Sequence, residues 1–280
     1  MPDLTGLPIA ITGASSGIGA ATAIACARAG MPVALMARRA DRLHELAERI
    51  RAAGGRADVF PGDVTDPADC SRLVEGAVAA FGSLYAVFAN AGYGEEAASA
   101  DMPEDRLRRM FEVNFFGTMN TVRPAVARMR ERPAGGTRGH VLICASCLSK
   151  LGVPYHGAYC ATKAAQDHVG RAMRIELGRE GIAVSTVHPV GTSTEFFEQS
   201  ERLSGPSRLV DRSSGRFMQP PETVAQAIVR RLRRGRGGEV WTRPSARIAF
   251  AAANMFPALT DRVLARMVDR RLAAADRRGL

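Results

Sequence analysis

Short apolar runs alternate with longer stretches of helical spacing along this chain. The runs lie at Pro8–Ile11, Val33–Ala37, Ala57–Phe60, Leu84–Ala89, His140–Ala145 and Ile182–Val187. Between them, apolar residues recur every three and four positions over Gly17–Ala29, Arg39–Ala53, Pro67–Phe81, Pro103–Arg132 and Tyr155–Glu180, which predicts helices there. A strand covered on both faces reads as a near-continuous apolar run, and parallel strands need a crossover between them. The pattern therefore predicts an α/β fold, a single doubly wound Rossmann-type parallel sheet flanked by helices on both faces, with right-handed crossovers. The pattern breaks at 192–217, TSTEFFEQSERLSGPSRLVDRSSGRF, a stretch rich in Ser, Gly and charge that is expected to be a lid loop. A helix resumes at Pro221–Arg234 and a short strand follows near Glu239–Thr242, so residues 1–243 are expected to form one domain and 244–280 an appended segment.

With 280 residues, 46% of them hydrophobic and 24% charged, the composition is that of a globular protein and excludes disordered and fibrous classes. No run approaches the roughly 18–20 apolar residues that span a bilayer, and the start shows no basic region followed by an apolar core. Five cysteines do not make a disulfide framework in a chain of this length, and the odd count points to a reducing compartment. A cytoplasmic location is therefore expected.

Net charge sharpens the picture once it is localised. The chain carries +10, yet residues 1–200 hold 21 basic and 21 acidic residues, whereas 201–280 hold 17 and 7. The body is neutral and the tail is basic. A nucleic-acid binder would need aromatic platforms in that tail, which has Trp241 and no Tyr, and a basic groove in the body, so no nucleic-acid partner is expected. Of the 38 basic residues only Lys150 and Lys163 are lysines, so each needs a local explanation.

The first predicted strand runs into Thr12-Gly13-Ala14-Ser15-Ser16-Gly17-Ile18-Gly19, where a helix starts. Gly13 permits a tight turn, and Gly17 and Gly19 let backbone and helix approach a pyrophosphate held on the helix N-terminus. The second strand ends at Arg38-Arg39, where an NAD site usually carries an acid; arginine there suits a 2′-phosphate, so NADP (NADPH) is expected in preference to NAD. Tyr159 and Lys163 stand at i and i+4 of a predicted helix, on one face, and an ammonium beside a phenol favours the phenolate. Ser146 closes the strand His140–Ala145, at the carboxyl edge where such sheets bind ligands, and its hydroxyl is placed to polarise a carbonyl oxygen. Cys144-x2-Cys147 has no second pair, and the five histidines form no ligand spacing, so no metal site is expected.

Taken in order, TGASSGIG at 12–19, Asp63-Val64, Asn90-Ala91-Gly92, Asn114, Ser146 and Tyr159-Cys160-Ala161-Thr162-Lys163 resemble the short-chain dehydrogenase/reductase family over residues 7 to about 242. The resemblance implies hydride transfer between NAD(P) and a carbonyl or alcohol. It implies Tyr159 as acid/base, Ser146 positioning the substrate oxygen, Lys163 lowering the tyrosine pKa and holding the nicotinamide ribose, and Asn114 completing a proton relay. It further implies Gly13, Ser15, Ser16, Gly17, Ile18 and Gly19 at the pyrophosphate, Asp63 and Val64 at the adenine, and Asn90, Ala91 and Gly92 beside the cofactor. Where the family has Pro-Gly-x-Val-x-Thr, this chain reads Pro189-Val190-Gly191-Thr192-Ser193-Thr194; Pro189, Thr192 and Thr194 remain placed for carboxamide contacts. The family places an apolar pocket at Tyr93, Leu148, Val153, Phe196 and Phe197, and assembles homodimers or homotetramers through the helices at 103–132 and 155–180. An alternative function is a non-catalytic NADP-binding regulator, which would have no need of Ser146, Tyr159 and Lys163 together.

In the tail, Leu259, Val263, Leu264, Met267, Val268 and Leu272 recur at helical spacing on one expected face, with Arg262, Arg266 and Arg270 on another. Ile248–Phe256 is apolar but too short to span a bilayer. Two readings follow: the apolar face packs on the body, or it contacts a membrane peripherally through 244–280.

Overall fold

The computed structural model describes residues 3–133, 136–205 and 218–276, with the side chains of 274–276 left aside. Its strands are β1 (Ile9–Thr12), β2 (Val33–Met36), β3 (Ala57–Val59), β4 (Ala86–Ala89), β5 (Gly139–Cys144), β6 (Ile182–His188) and β7 (Gly238–Trp241). Among the described residues they form one sheet in the order β3-β2-β1-β4-β5-β6-β7, parallel at every pairing. The doubly wound sheet stands as the apolar runs predict.

Alternation along each strand feeds two separate cores. Ile9, Ile11, Val33, Leu35 and Phe88 pack on the face covered by α1 (Gly17–Arg28), α2 (Ala40–Ala52) and α8 (Pro221–Arg234). Ala10, Ala34, Met36, Val87 and Ala89 pack on the other, against α3 (Pro67–Phe81) and α5 (Gly117–Arg130). Each fully buried aliphatic side chain contributes about 1.5–3 kcal/mol. Because both faces are needed, the strands carry no polar alternation. Chain order reverses on either side of β1, which opens a crevice at the carboxyl ends of β1 and β4.

Three expected elements differ in detail. The helix expected over 103–132 is divided into α4 (Glu104–Phe111) and α5 by a π-helical turn at Glu112–Phe116, which sets Asn114 inward and wholly buried. The helix expected over 155–180 is α6 (Gly157–Glu176) followed by a 3-10 turn, Leu177–Glu180. The lid loop expected at 192–217 instead begins with a helix, α7 (Glu195–Ser204), capped by Thr194 Oγ1 accepting from Phe196 N at 3.3 Å. Glu195 and Glu198 in its first turn favour the helix dipole; the element buries no residue fully, so it leaves little apolar period to read. Residues 206–217 of that stretch lie outside the described residues.

The tail forms α9 (Pro244–Met255) and α10 (Pro257–Asp276). Helix α9 is tied to the body by Asn254 Nδ2 donating to Lys150 O at 2.7 Å and by Arg247 beside Glu239 at 3.4 Å. Helix α10 folds back on it, with Thr260 Oγ1 donating to Ala253 O at 2.9 Å. No described helix is long and apolar enough to cross a membrane.

Candidate active site

At the end of β1 the chain turns on Gly13, with φ at 64°, a conformation a side chain would strain. A Cβ at Gly19 would stand 2.2 Å from Gly13 O, so the start of α1 presses against the turn in a way only glycine permits. Asn90 Nδ2 donates to Thr12 O at 3.1 Å and to Gly13 O at 3.3 Å, bracing that turn from β4, and Ala91 N donates to Thr12 Oγ1 at 3.3 Å. Ser16 stands at the N-cap position of α1 in extended backbone, its hydroxyl making no bond to the helix N–H groups, Ile18 follows in the first turn, and no acid lies there. The N–H groups at this helix start therefore face the crevice as an anion site. The glycine cradle and uncapped helix start fit the pyrophosphate of a dinucleotide.

Arg39, just past β2, reaches back over this loop. Its guanidinium donates to Ser15 Oγ at 3.1 Å and Ser16 Oγ at 3.0 Å, and pairs with Glu195 of α7 at 2.8 Å. That bond holds the Glu195 carboxyl below the usual carboxylate range. Arg38 is exposed and lies 4.0 Å from Asp63, whose carboxylate accepts from Thr65 N and Oγ1, each at 3.0 Å. Val64 packs against Gly117, where a Cβ would come within 2.7 Å of it. Thr194 rests on Gly17, with Cγ2 3.0 Å from the position of a Cβ there. Thr192 bridges Gln219, and Pro189 O accepts from Cys147 N at 3.1 Å.

Strand β5 delivers Ser146, and α6 delivers Tyr159 and Lys163, to one buried spot beside the cradle. The Ser146 hydroxyl accepts from Leu148 N at 3.1 Å and is a hydrogen-bonding neighbour of the Tyr159 phenol. Burial pushes the Tyr159 phenol well above its usual range, with the Ser146 bond opposing it. Lys163 lies over the tyrosine ring, its Nζ 5.7 Å from the centroid, and donates to Cys144 O at 2.8 Å. Burial also lowers the lysine from its ordinary value. At Gly92 a Cβ would stand 2.9 Å from Asn114 Oδ1 and 3.4 Å from Lys163 Nζ, so the missing side chain leaves room for these two groups. Asn114 is fully engaged: Oδ1 accepts from Tyr93 N at 2.9 Å, Nδ2 donates to Tyr93 O and to Thr162 Oγ1, and its carbonyl accepts from Gln166 Nε2 at 2.7 Å. Its π-helical setting is a common device for turning one residue into a site.

Apolar side chains wall the phenol. Tyr93 and Met110 are buried against it, with Met102, Leu148 and Phe196 packed on them. The Phe196 ring lies 5.4 Å from Tyr159, and Phe197 meets Phe196 edge-on at 5.5 Å. Val153 stands apart, its carbonyl accepting from His156 N at 3.0 Å in the turn before α6.

Behind Ser146 lies a buried polar group that sequence reading misses. Lys150 Nζ donates to Asp167 Oδ2 at 2.6 Å and Glu239 Oε1 at 2.8 Å. His188 bonds Ser146 O through Nδ1 at 3.0 Å, stands 3.4 Å from Asp167, and stacks on Trp241 with ring centroids 4.7 Å apart. Donor atoms of Asp167, His188 and Glu239 lie within 4.8 Å of one another, and the Lys150 ammonium that bonds both carboxylates supplies the positive charge there. The only trace of this in the sequence was the rarity of lysine.

A glycine cradle at the switch point with serine, tyrosine and lysine beside it defines an NAD(P)-dependent oxidoreductase. The short chain dehydrogenase model matches residues 8–203, and the chain belongs to that family. It is 32% identical over 233 residues to a 2,5-dichloro-2,5-cyclohexadiene-1,4-diol dehydrogenase of Sphingobium indicum, covering 81% of this chain and 90% of that one. It is 34% identical over 230 residues to the glycine betaine reductase ATRR of Emericella nidulans; this covers 82% of the present chain and only 18% of that much longer protein. A short-chain type dehydrogenase/reductase from Mycobacterium marinum superposes with a TM-score of 0.74 at 29% identity, over 85% of this chain and 94% of that one. The protein is thus an NAD(P)-dependent oxidoreductase acting on alcohols or carbonyls.

Proposed function

We propose that the chain is an NADP(H)-dependent reductase interconverting a carbonyl and a secondary alcohol on an apolar small molecule. The observation that carries this reading is the convergence of Ser146, Tyr159 and Lys163 on one buried spot beside the glycine cradle. A phenol held protonated by burial is the acid a carbonyl reduction needs, and Ser146 orients the oxygen that receives the proton. Lys163 contributes positive charge on the ring face, and Asn114 braces the loop at Tyr93 against α6. The bound nicotinamide supplies or takes the hydride.

Cofactor choice falls to Arg38 and Arg39. An exposed Arg38 and an Arg39 anchored on Ser15 and Ser16 bring two guanidinium groups to the end of β2, with no acid directly after the strand to hold ribose hydroxyls. Asp63 and Val64 are assigned to the adenine, Asn90, Ala91 and Gly92 to the cradle wall, and Pro189, Thr192 and Thr194 to the carboxamide. The wall of Tyr93, Met110, Leu148 and Phe196 suits an apolar substrate. Residues 1–243 are taken as the catalytic domain and 244–280 as an extension. Exposed Phe116 and Ile175, on the segments at 103–132 and 155–180, support assembly as a homodimer or homotetramer.

A panel of ketones and secondary alcohols, each with NADPH/NADP and NADH/NAD and followed at the nicotinamide absorbance, tests the reading. Turnover of apolar ketones with NADPH is expected. Equal affinity for NADH and NADPH overturns the cofactor assignment, and cofactor binding without turnover of any substrate favours the binding-only alternative.

A further inference from the structure

Six of the nine large apolar side chains exposed among the described residues fall in one short stretch: Ile248, Met255, Phe256, Leu259, Val263 and Met267. Helix α9 turns Phe250 toward Trp241 and Asn254 toward Lys150, while Ile248, Ala251, Ala252 and Met255, at helical spacing, all face outward. In α10 the apolar residues split into two faces rather than the one expected. Leu264, Val268 and Leu272 are half-buried, whereas Leu259, Val263 and Met267 are exposed at every fourth position.

The charges follow the outer face. Arg262, Arg266 and Arg270 are exposed at the same four-residue interval, and at about 100° per residue they run alongside the Leu259–Val263–Met267 stripe. Asp261 falls on the far side by the same spacing, while Asp269, three residues after Arg266 and seven after Arg262, borders the arginine row. Within α9 and α10 five arginines stand against three aspartates, a net charge of +2, with three of those arginines in the row beside the stripe. A monomeric surface rarely leaves so many neighbouring apolar side chains open without a partner. An antiparallel two-fold pairing of α10 with a second copy would set arginine row against arginine row. An anionic bilayer satisfies both halves of the surface, because the apolar stripe enters the acyl boundary while guanidinium groups meet lipid phosphates.

We propose that α9 and α10 form a peripheral docking surface for an anionic lipid bilayer, lying in its interface without crossing it. The test uses full-length protein and co-sedimentation with vesicles of equal phosphatidylglycerol and phosphatidylcholine, and with phosphatidylcholine alone. Binding is expected to the anionic vesicles at low salt and to weaken as salt rises. Arginine near an anionic surface multiplies partitioning roughly fivefold per residue, so Arg262→Gln/Arg266→Gln/Arg270→Gln lowers it about 100-fold. Leu259→Asp/Val263→Asp abolishes it. Unchanged Tm and NADPH affinity in both variants show that the fold is intact. Full-length protein remaining in the supernatant with anionic vesicles at low salt overturns the proposal. So does binding that survives both sets of substitutions, or light scattering in which they reduce the oligomer while vesicle binding persists, since the face is then a subunit contact.

Discussion

Replacing Lys150 by methionine keeps the packing of its stem and removes the ammonium from between two carboxylates. Asp167 is left with a side chain wholly withdrawn from solvent, and Glu239 keeps Trp241 Nε1, donating at 2.9 Å, and Arg247 at 3.4 Å. Burial raises the Asp167 carboxyl, and the bonds from His188 and Lys150 outweigh it and hold the group well below the usual carboxylate range. Removing one partner of a buried pair costs about 3–5 kcal/mol, and the lower end applies because His188 remains. At about 2–4 °C per kcal/mol for a domain somewhat smaller than this chain, Tm should fall by roughly 6–12 °C. Lys150→Met/Asp167→Asn should recover most of the loss, since the stranded charge leaves with its partner. The sole tryptophan, Trp241, stacks on His188, so urea unfolding followed by tryptophan fluorescence reads this network directly. His188 also holds the Ser146 carbonyl, so displacement of the serine should lower kcat about tenfold with NADPH affinity unchanged. A loss below about 1 kcal/mol for the single variant, or a double variant equal to the sum of the singles, refutes the reasoning.

Tyr159→Phe keeps the ring packing and removes the proton, so kcat should drop about 10²–10⁴-fold while cofactor affinity stays the same; near-normal turnover of a good substrate rules out the acid role. Arg38→Asp sets a carboxylate against the 2′-phosphate site and should move preference toward NADH at least about tenfold, read from the two dissociation constants. Glu195→Gln releases Arg39 from an exposed pair worth about 0.2–1 kcal/mol, so NADPH should bind up to about fivefold tighter with NADH unaffected. For His140, burial pushes the pKa from 6.5 down to about 3, so the unfolded chain takes up the proton first. The stability present above the ordinary histidine value is therefore lost as pH falls from about 6.5 toward 3, at about 1.4 kcal/mol per unit. His140→Gln should flatten urea-derived stability between pH 6 and 4 by about one proton, and an unchanged slope sinks the assignment.

The sheet could be read from the sequence because a parallel strand covered on both faces needs an apolar residue at every position; Val33–Met36 and Ala86–Ala89 are wholly buried. The glycine loop and the Tyr159–Lys163 pair were equally plain, since a turn that excludes Cβ atoms and two side chains on one helix face are short-range requirements. Tertiary structure alone decided what depends on closing the chain. The four-residue spacing of Tyr159 and Lys163 gives no warning that burial raises the phenol, or that the ammonium rests on the ring and bonds Cys144 O. Glu195 meets Arg39 from 156 positions away, and Lys150 gathers Asp167 and Glu239 from 17 and 89 positions away, so no local period records either. In α10 the spacing marked the apolar residues but not which of them would find a neighbour: Leu264 and Val268 turn inward while Val263 and Met267 remain open. Hydrophobic period specifies which positions seek cover, and the packed body determines which of them receive it.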